Sequence, residues 1–526
     1  MERTLAALFA LCYLAFFSCE KFGSKKMNDA PAVHPQSGVY YSLFTRSFAD
    51  SDGDGIGDFN GIISKLDYLQ GLGISGLWLL PVFPSHSYHG YDVDDYYQCN
   101  PEYGSLDDFE RLCKECALRG ISVILDMPLN HSSVHNKWFV QSIDPKSPKH
   151  SWYRWASADD QKINFGAKAW DHNVWNNLGG SYYSGLYFHG MPDFNHDNPE
   201  VREEFKKVLS FWLDRGASGF RFDAANHLYD AVKLPNDIND GQERAVQFWK
   251  EMTSYVLGVK PDAYMVGEVW DTAGVRADYM RGLPSTFHFD LGTKIISAVK
   301  NKDSYNNALA KSLENDYALA AQKNPSFIDA PFLTNHDQNR FALQFKNNPD
   351  CVKLAASMYL FLPGVPFVYY GEELGMNGAK PDEQIRTPFI WSKSGDRFQT
   401  KWIDSKYNAK TIPADKQLAD KDSILNFYKK AVAFRSQNAT LFEGSFLAQD
   451  SKNSALAFWF FDGGQKSKLW CCFNLSDQEL ALSRPQGSEN CRILFSQKNG
   501  ASLSKDVVKI PAKSCVLFGC LDKKNL

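Results

Sequence analysis

The chain has 526 residues, which is enough for a large hydrophobic core and two or three domains. Its formal charge of −4 leaves no electrostatic footprint for nucleic acid, a partner that usually requires a clustered basic surface. Aromatic residues make up 14% of the chain, so the surplus beyond the core suits a groove that stacks flat, hydroxylated ligands.

The first residues have the form of an export signal. "MERTLAALFALCYLAFFSCEK" carries one arginine and an apolar run from Leu5 to Phe17, which is too short to span a membrane comfortably. The Ser-Cys pair at its end resembles a bacterial lipobox, in which the cysteine is lipidated. We therefore predict a signal peptide over 1–19, a flexible tether over 20–37, and an exported lipoprotein, periplasmic or at the cell surface. Its membrane contact would be a lipid anchor at Cys19, with simple secretion as the alternative.

An acidic loop follows the first predicted strand. In "DSDGDGIGDFNG", which starts at Asp50, side-chain oxygens fall at positions 1, 3, 5 and 9. An EF-hand requires a glutamate at position 12 and a helix on each side. Here that position is Gly61, and the preceding "VYYSLFTRSF" has the composition of a strand. The spacing predicts a Ca²⁺ site that is not an EF-hand; a solvated acidic turn is the alternative.

From Val39 onward, strand-like and helix-like stretches alternate. The predicted strands are, in order, "VYYSLF", "ISGLWLLPVF", "ISVILDM", "SGFRFDAA", "AYMVGEVW", "STFHFDL", "APFLTN" and "PFVYYGEEL". Continuous apolar strands that alternate with helices imply a parallel sheet buried on both faces. Eight such units predict an α/β fold, a (β/α)₈ barrel over 38–131 and 196–438, with a doubly wound open sheet as the alternative.

Two regions depart from this alternation. Residues 132–195 are rich in Trp, Tyr, His, Asn and Gly and lack helical periodicity, which predicts a small domain inserted after the third strand. Residues 439–526 contain short strands separated by turns, such as "ALAFWFFDGG" and "KLWCCFNLS", and predict a C-terminal antiparallel β-sandwich.

The cysteines indicate no zinc site. Cys113 and Cys116 form a CxxC inside an amphipathic segment, without the second pair or nearby histidines that a zinc site needs, so they read as ordinary helix positions. Five more lie near the C-terminus, where an exported protein could pair some of them. These are Cys471, Cys472, Cys491, Cys515 and Cys520.

Four acids end predicted strands three, four, five and seven. They are Asp126, Asp223, Glu268 and Asp337, and they are accompanied by Arg221, His131, His227 and His336. In a (β/α)₈ barrel such positions converge on the active-site rim. A lone acid after a strand is usually a helix N-cap, but four acids with arginine and histidine favour an active site. No Gly-rich phosphate loop, Ser elbow or His-x-x-x-His pair accompanies them, whereas paired carboxylates are what glycosidic cleavage requires.

The same residues carry a family resemblance. "DMPLNH", "GFRFDAANH", "GEVW" and "FLTNHD" resemble, in order and spacing, the four signature regions of the α-amylase family of glycoside hydrolases (family 13). "MPDFN" resembles the fifth region in the form of groups between the oligo-1,6-glucosidases and the neopullulanases. The acidic loop resembles the calcium loop after the first strand in those groups. The Ca²⁺ ligands that this resemblance implies are Asp50, Asp52, Asp54, Asp58 and the carbonyl of Ile56.

The resemblance also implies roles at the rim. Asp223 matches the nucleophile that forms a covalent glycosyl-enzyme, Glu268 the general acid/base, and Asp337 the third acid, which grips sugar hydroxyls. The implied substrate ligands are Tyr91, Asp92, His131, Arg221 and His336, with Tyr91 as the aromatic platform. Arg221 would hold the nucleophile ionised, and Glu268 would need a raised pKa. A retaining mechanism places the two carboxyl groups about 5–5.5 Å apart.

The resemblance implies hydrolysis of α-1,4 bonds within starch-like glucans and maltooligosaccharides by a monomer. Ala224 after the nucleophile resembles α-1,4 enzymes more than the valine of oligo-1,6-glucosidases. An exo-acting α-glucosidase or a neopullulanase-type enzyme is the alternative, because "IRTPFIW" (385–391) resembles a loop of the oligoglucosidases. A glucosyltransferase and an inactive glucan-binding barrel are further alternatives, the latter disfavoured because all three acids are present.

Two positions depart from many α-amylases, Asn226 and Phe194, and the latter replaces a leucine of the fifth region, an apolar exchange with little consequence. Asn226 stands where they carry a lysine that contacts the next sugar, which puts that subsite in doubt. Asn130 and His227 occupy positions that ligate a second calcium in many α-amylases, but its supporting acids cannot be aligned. The second calcium site therefore stays open.

Overall fold

The computed structural model describes residues 38–230, 238–304, 308–450, 453–464 and 467–521. The predicted signal peptide (1–19), the lipidation at Cys19 and the tether (20–37) lie outside these residues and stay predictions. Within the described ranges, no helix is both long and apolar enough to cross a membrane.

Eight parallel strands form the central barrel. They are β1 (Tyr40–Leu43), β2 (Gly76–Leu79), β3 (Ser122–Met127), β4 (Gly219–Phe222), β5 (Tyr264–Gly267), β6 (Ser285–Phe287), β7 (Ile328–Ala330) and β8 (Phe367–Tyr369). Strands β1 to β7 pair in parallel in chain order, and β8 pairs in parallel with β1. Between β7 and β8, Val365 N donates to Asp329 O (2.8 Å) and Phe367 N to Pro331 O (2.9 Å), which closes the ring. The barrel prediction is confirmed, and the open-sheet alternative is wrong.

Helices surround the barrel, and one or more of them connect each pair of consecutive strands. The principal ones are Phe59–Ser64, Leu66–Leu72, Leu106–Leu118, Pro199–Asp214, Ile238–Val259, Ala273–Tyr279, Phe289–Asn301, Ala308–Lys323, Pro349–Leu360 and Ile424–Gln437. Shorter ones are Thr45–Phe48, Lys137–Ser142, Phe341–Gln344, Asp382–Ile385 and Ala414–Ala419. Ser105 and Asp108 form a capping box that starts Leu106–Leu118. Cys113 and Cys116 are buried positions of that helix, as the sequence predicts.

Two predicted strands differ from the observed ones. In "STFHFDL" the strand ends at Phe287 and a helix begins at Phe289. The strand predicted over "APFLTN" runs instead over Ile328–Ala330, so the apolar residues that follow belong to a loop at the rim. Phe332 is buried there because its ring packs on the rings of Phe287 (5.6 Å) and Phe289 (5.1 Å), not because it lies in the sheet.

The region between β3 and the helix Pro199–Asp214 contains small antiparallel sheets. One sheet pairs Trp155–Ser157 and Trp175–Leu178 with Ser181–Ser184, and Lys168–Ala169 pairs with His172–Asn173. A short helix over Lys137–Ser142 is present although the sequence shows no helical period there. Isolated bridges join the two ends of the region, and they are His131 with Asp193 and Tyr153 with Phe194.

The C-terminal part consists of two antiparallel sheets. The five-stranded sheet has the order Ser445–Ala448, Leu456–Asp462, Ser467–Asn474, Ser514–Leu521 and Arg492–Ser496. The three-stranded sheet has the order Leu480–Ser483, Val507–Ile510 and Ser502–Leu503. A buried cluster that includes Phe458, Trp470 and Val508 draws residues from both sheets. Cys491 and Cys520 form a disulfide, whereas Cys471, Cys472 and Cys515 are buried thiols.

Candidate active site

Arg221 is the centre of the polar cluster at the rim. It lies on β4, in register with Asp126 on β3, and is fully buried. Its Nη1 donates to Asp126 Oδ1 (2.7 Å) and Asp223 Oδ1 (2.5 Å), and its Nη2 lies 2.8 Å from Glu268 Oε2. Asp223 and Glu268 follow β4 and β5 directly. One guanidinium therefore binds three carboxylates that come from three neighbouring strands.

The three carboxyl groups are protonated more readily than ordinary acids. Burial raises the pKa of Asp126 and of Asp223 to about 6, because the charge of Arg221 offsets only part of the desolvation. Burial raises the pKa of Glu268 further, to about 7, and the charge of Asp223 adds to the effect. Near neutral pH, Asp223 can be ionised while Glu268 keeps a proton, which separates a nucleophile from a proton donor.

Asp337 has the opposite protonation behaviour. Its Oδ1 accepts from Arg386 Nη2 (2.9 Å), and its Oδ2 lies 3.0 Å from His336 Nε2. Burial alone would raise the pKa of Asp337, but His336 and Arg386 outweigh it and hold the pKa well below its usual range. Asp337 is therefore ionised at every pH at which the other acids titrate.

Tyr91 links the two acidic groups. Its hydroxyl donates to Asp126 Oδ2 (2.9 Å) and lies 2.7 Å from His336 Nε2, while its ring stacks on that of His336 at 5.7 Å. His131 is buried, and burial lowers its pKa to about 4, so the imidazole is neutral at neutral pH. Within the described residues, His131 Nε2 is buried and has no hydrogen-bond partner.

A cavity of about 600 Å³ opens at this rim. The predicted site residues that line it are Tyr91, His131, Asp223, Glu268 and Asp337. Three other predicted residues contact the lining rather than belong to it. Arg221 binds Asp223 and Glu268, and His336 binds Tyr91 and Asp337. Asp92 accepts from the hydroxyls of Ser85 (2.6 Å) and Ser87, and it lies 3.9 Å from the lining residue His89.

Several lining residues were not predicted. They are Trp170, Tyr187 and Phe188 from the region between β3 and Pro199–Asp214, Trp270 two residues after Glu268, and Asp382 and Arg386 from the loop after β8. Trp170 and Trp270 are 59% and 49% exposed, which is unusual for so large an apolar side chain. The aromatic surplus and "IRTPFIW" were the available signals, but neither specifies which residues reach the cavity.

The acidic loop brings three of its predicted ligands together. Asp50, Asp52 and Asp54 each offer a carboxylate oxygen within 4.8 Å of the others. Asp50 is buried, and its oxygens accept from the backbone N–H groups of Gly53 (2.6 Å) and Gly55 (2.8 Å). Both glycines have a positive φ, which the tight turn requires. An all-oxygen donor set of this kind suits Ca²⁺.

Asp58 has a different position from the three-acid group. It is the N-cap of the helix Phe59–Ser64, with Oδ1 accepting from Gly61 N (2.8 Å) and Oδ2 from Ser51 N (2.6 Å). Of the two residues named for a second calcium site, His227 places Nδ1 2.5 Å from Asp230 Oδ2, and the side-chain oxygen of Asn130 has no hydrogen-bond partner among the described residues, so that site stays open. The assignments of Asp58 and of the Ile56 carbonyl as ligands stay predictions.

Two carboxyl groups follow neighbouring strands of a (β/α)₈ barrel and line a cavity that also contains aromatic side chains. One can be ionised while the other is protonated, which is the arrangement that a glycoside hydrolase requires. The chain belongs to the α-amylase family, whose model, described as "Alpha amylase, catalytic domain", matches residues 42–444.

Similar proteins agree with this membership. The chain is 44% identical over 413 residues to "Alpha-amylase 3" of Dictyoglomus thermophilum, covering 78% of this chain and 79% of that protein. It is 33% identical to the "4-alpha-glucanotransferase" of Thermotoga maritima, covering 84% and 97%. The crystal structure of the α-amylase from H. orenii superposes with a TM-score of 0.84 at 36% identity, covering 92% of this chain and 99% of that one.

Proposed function

We propose that the protein hydrolyses α-1,4-glucosidic bonds within starch-like glucans and maltooligosaccharides, with retention of the anomeric configuration. The observation that carries this proposal is the shared guanidinium of Arg221, which binds both Asp223 and Glu268 while their pKa values stay at about 6 and about 7. The retaining mechanism needs a nucleophilic and a proton-donating carboxyl group near one another, and the shared guanidinium supports that proximity.

The proposed reaction has two steps. Asp223 attacks the anomeric carbon, and Glu268 gives its proton to the departing glycosidic oxygen, which leaves a covalent glycosyl-enzyme. Glu268, now ionised, takes a proton from water, whose oxygen attacks the same carbon and releases Asp223. The backbone N–H of Ala224 donates to Glu268 Oε2 (3.0 Å), which supports the ionised form of Glu268 between the two steps.

Asp337 and His131, two of the proposed substrate ligands, differ in protonation state and can make different hydrogen bonds with a sugar. Asp337 is ionised and can accept hydrogen bonds from sugar hydroxyls, and neutral His131 offers a free nitrogen to the same sugar. Tyr91 offers a ring on the cavity wall, on which a sugar face could stack. Asp92 would act through His89 and the two serines rather than by direct contact.

Two similar proteins, "Alpha-amylase 3" of Dictyoglomus thermophilum and the α-amylase from H. orenii, support the preference for α-1,4 bonds and internal cleavage, and Ala224 supports the bond preference. This residue is buried and has a φ of 50°, a backbone conformation that strains a β-branched side chain. The valine of the oligo-1,6-glucosidases would therefore fit this backbone poorly. Transfer of the glycosyl group to a second sugar is the second candidate, since a 4-α-glucanotransferase is among the relatives.

The remaining proposals concern the setting of the enzyme. Ca²⁺ would bind at the acidic loop through Asp50, Asp52 and Asp54, with Asp58 and the carbonyl of Ile56 as further ligands. The ion would supply a fixed positive charge that holds the turn together. The chain would be exported, lipidated at Cys19 and monomeric.

Product analysis tests the function. The enzyme is incubated with soluble starch, maltotriose, pullulan and isomaltose, and the products are separated by chain length while proton NMR follows the anomer first released. We expect starch to yield a range of maltooligosaccharides early, in the α configuration, and isomaltose to be cut far more slowly than maltotriose. Glucose as the sole early product from starch would favour the exo-acting α-glucosidase. Isomaltose cleaved as fast as maltotriose would favour the oligo-1,6-glucosidase, and products longer than the substrate would favour the transferase.

A further inference from the structure

Ser47 joins the acidic loop to the loop that follows β8. It lies in the short helix Thr45–Phe48, three residues before Asp50, and is fully buried. Its Oγ donates to the backbone carbonyl of Arg386 (2.5 Å) and accepts from Trp402 Nε1 (2.7 Å). Its own carbonyl accepts from Phe389 N (2.8 Å). A single serine thus binds both ends of the segment 386–402.

The same segment is bound to the acidic loop itself. Asp50 N donates to the carbonyl of Phe398 (2.9 Å), and Lys401 N donates to the carbonyl of Gly55 (2.7 Å). These bonds hold the distal part of the segment, whereas the Ser47 hydroxyl holds its first residue. The backbone of Arg386 is therefore fixed at the point where its side chain turns towards the active site.

Arg386 is the residue through which this attachment reaches the chemistry. It is 4% exposed, its Nε donates to the carbonyl of His336 (2.9 Å), and its Nη2 donates to Asp337 Oδ1 (2.9 Å). The guanidinium is bound through Nε and Nη2, and it can orient a carboxylate only if the backbone of Arg386 stays in place. Displacing that backbone by an ångström would misplace both the charge and the direction of Asp337.

We propose that Ser47 is a positioning residue for glycosidic cleavage, which acts by holding the backbone of Arg386 so that its guanidinium orients Asp337. The proposal rests on the proposed role of Asp337 as the acid that grips the sugar. A serine that only stabilised the fold would lower the melting temperature and leave kcat of the folded enzyme unchanged. A serine that positions Arg386 lowers kcat at saturating substrate, because Asp337 matters most as the ring flattens in the transition state.

The first measurement compares two buried serines. Ser47→Ala removes the hydroxyl that holds Arg386, and Ser42→Ala is the matched control. Ser42 lies on β1, is 2% exposed, and its Oγ has no partner within the described part of the chain. With maltopentaose at 25 °C, well below the melting temperature of each variant, we expect Ser47→Ala to lower kcat about 10- to 100-fold with a smaller change in KM. Ser42→Ala should stay within about twofold of the wild type.

A double-mutant cycle with Arg386→Gln decides whether Ser47 acts through the guanidinium. With no guanidinium to position, adding Ser47→Ala should cost no more than about a further twofold in kcat. If Ser47→Ala instead lowers kcat by the same factor in both backgrounds, or leaves kcat unchanged in the wild-type background, the positioning role is wrong. If Ser47→Ala does not fold, Ser47→Cys enters the same cycle, because a thiol keeps the volume and is a weak donor. A wild type that turns over no maltopentaose would contradict the proposed function, and with it this role.

Discussion

Two buried arginines of the barrel bind acidic partners and affect the pKa of those acids in opposite ways. Arg221, at the rim, is shared by Asp126, Asp223 and Glu268, and the pKa of each acid lies above its ordinary value. The acids outnumber the positive charge, so desolvation and mutual repulsion are only partly offset. Such a cluster can release and take up protons near neutral pH, as general acid–base chemistry requires.

Arg276 binds a buried acid, Asp329, that has a second cationic partner in direct contact. Its Nη1 donates to Asp329 Oδ1 (2.7 Å), and His288 Nδ1 lies 3.0 Å from Asp329 Oδ2. Burial alone would raise the pKa of Asp329, but His288 and Arg276 outweigh it and lower the pKa to about 2. Asp329 therefore has two cationic partners, although one of them, His288, also lies near Asp316 (3.4 Å) and Asp290 (3.7 Å). The comparison teaches that the cations in direct contact with a buried carboxylate decide whether its pKa rises or falls.

The largest effect that this comparison predicts is on turnover. Asp223→Asn removes the proposed nucleophile and should lower kcat for maltopentaose by several orders of magnitude, while the fold and oligosaccharide binding persist. Steady-state kinetics, circular dichroism and calorimetric titration with maltopentaose measure the three properties. Asp329→Asn is the control, a buried acid that is also bound to arginine but lies away from the cavity lining, and it should keep kcat within a few-fold below its melting temperature. Near-normal turnover by Asp223→Asn would remove this residue from the mechanism.

Replacing the proton donor should be nearly as damaging, and the loss should depend on the leaving group. Glu268→Gln cannot protonate a sugar hydroxylate, so maltopentaose should be cut about 10²- to 10⁴-fold more slowly. An aryl maltoside whose leaving group needs no proton should recover much of the lost rate. The wild-type kcat/KM should fall below about pH 6, as Asp223 is protonated, and above about pH 7, as Glu268 is ionised. An equal loss on both substrates, or an alkaline limb that survives in Glu268→Gln, would contradict the assignment.

The two clusters should also respond oppositely when stability is measured against pH. The pKa of Asp329 is lowered below its ordinary 3.8, so its stabilisation is present above that value and is lost as the pH falls towards 2. Asp329→Asn should therefore cost about 3–5 kcal/mol at both pH 7.5 and pH 4.5, because it leaves buried cations without their acid.

The pKa of Asp223 is raised, so its ionised form destabilises the fold above about pH 6, and this cost disappears as the pH falls below the ordinary 3.8. Asp223→Asn should stabilise the protein by about 1–3 kcal/mol at pH 7.5, since one pKa unit corresponds to about 1.4 kcal/mol. The gain should shrink at pH 4.5. Urea unfolding at the two pH values measures both variants, and parallel curves for the two would show that the contacting cations do not decide the direction of the pKa shift.

The smallest effect concerns the acidic loop with Asp50, Asp52 and Asp54, for which the proposed cationic partner is Ca²⁺. A chelator should lower the melting temperature of the wild type by linkage, with about 2.7 kcal/mol at stake when free Ca²⁺ is a hundredfold above its dissociation constant. For a chain of this size that corresponds to a shift of about 2–3 °C. Asp52→Ala with Asp54→Ala should melt at the chelated temperature with or without Ca²⁺. If the chelator leaves the melting curve of the wild type unchanged, the loop is a solvated acidic turn and the Ca²⁺ prediction is wrong.

The sequence alone predicted the site residues whose place in the fold follows from a local pattern, such as the acids at the ends of apolar strands. Asp223 and Glu268 end apolar runs, and the ends of parallel strands in a barrel meet at one rim, so their proximity follows from the topology. Arg386 follows a short helix after β8 and Trp170 lies in a hairpin turn of the region between β3 and Pro199–Asp214, and the position of each segment depends on contacts with distant parts of the chain, such as that of Arg386 with Ser47. Phe332 misled the strand assignment because a buried apolar residue in a rim loop has the same composition as a strand.

The ion pair between Asp337 and Arg386 joins the loops that leave β7 and β8, the two strands whose backbone bonds complete the ring. Turnover is therefore a readout of ring closure during folding. A refolding chain in which this seam is still open would be inactive, even if its helices and the cluster around Arg221 had formed. Recovery of activity therefore reports the closed ring, and comparing it with recovery of secondary structure measures whether closure comes later.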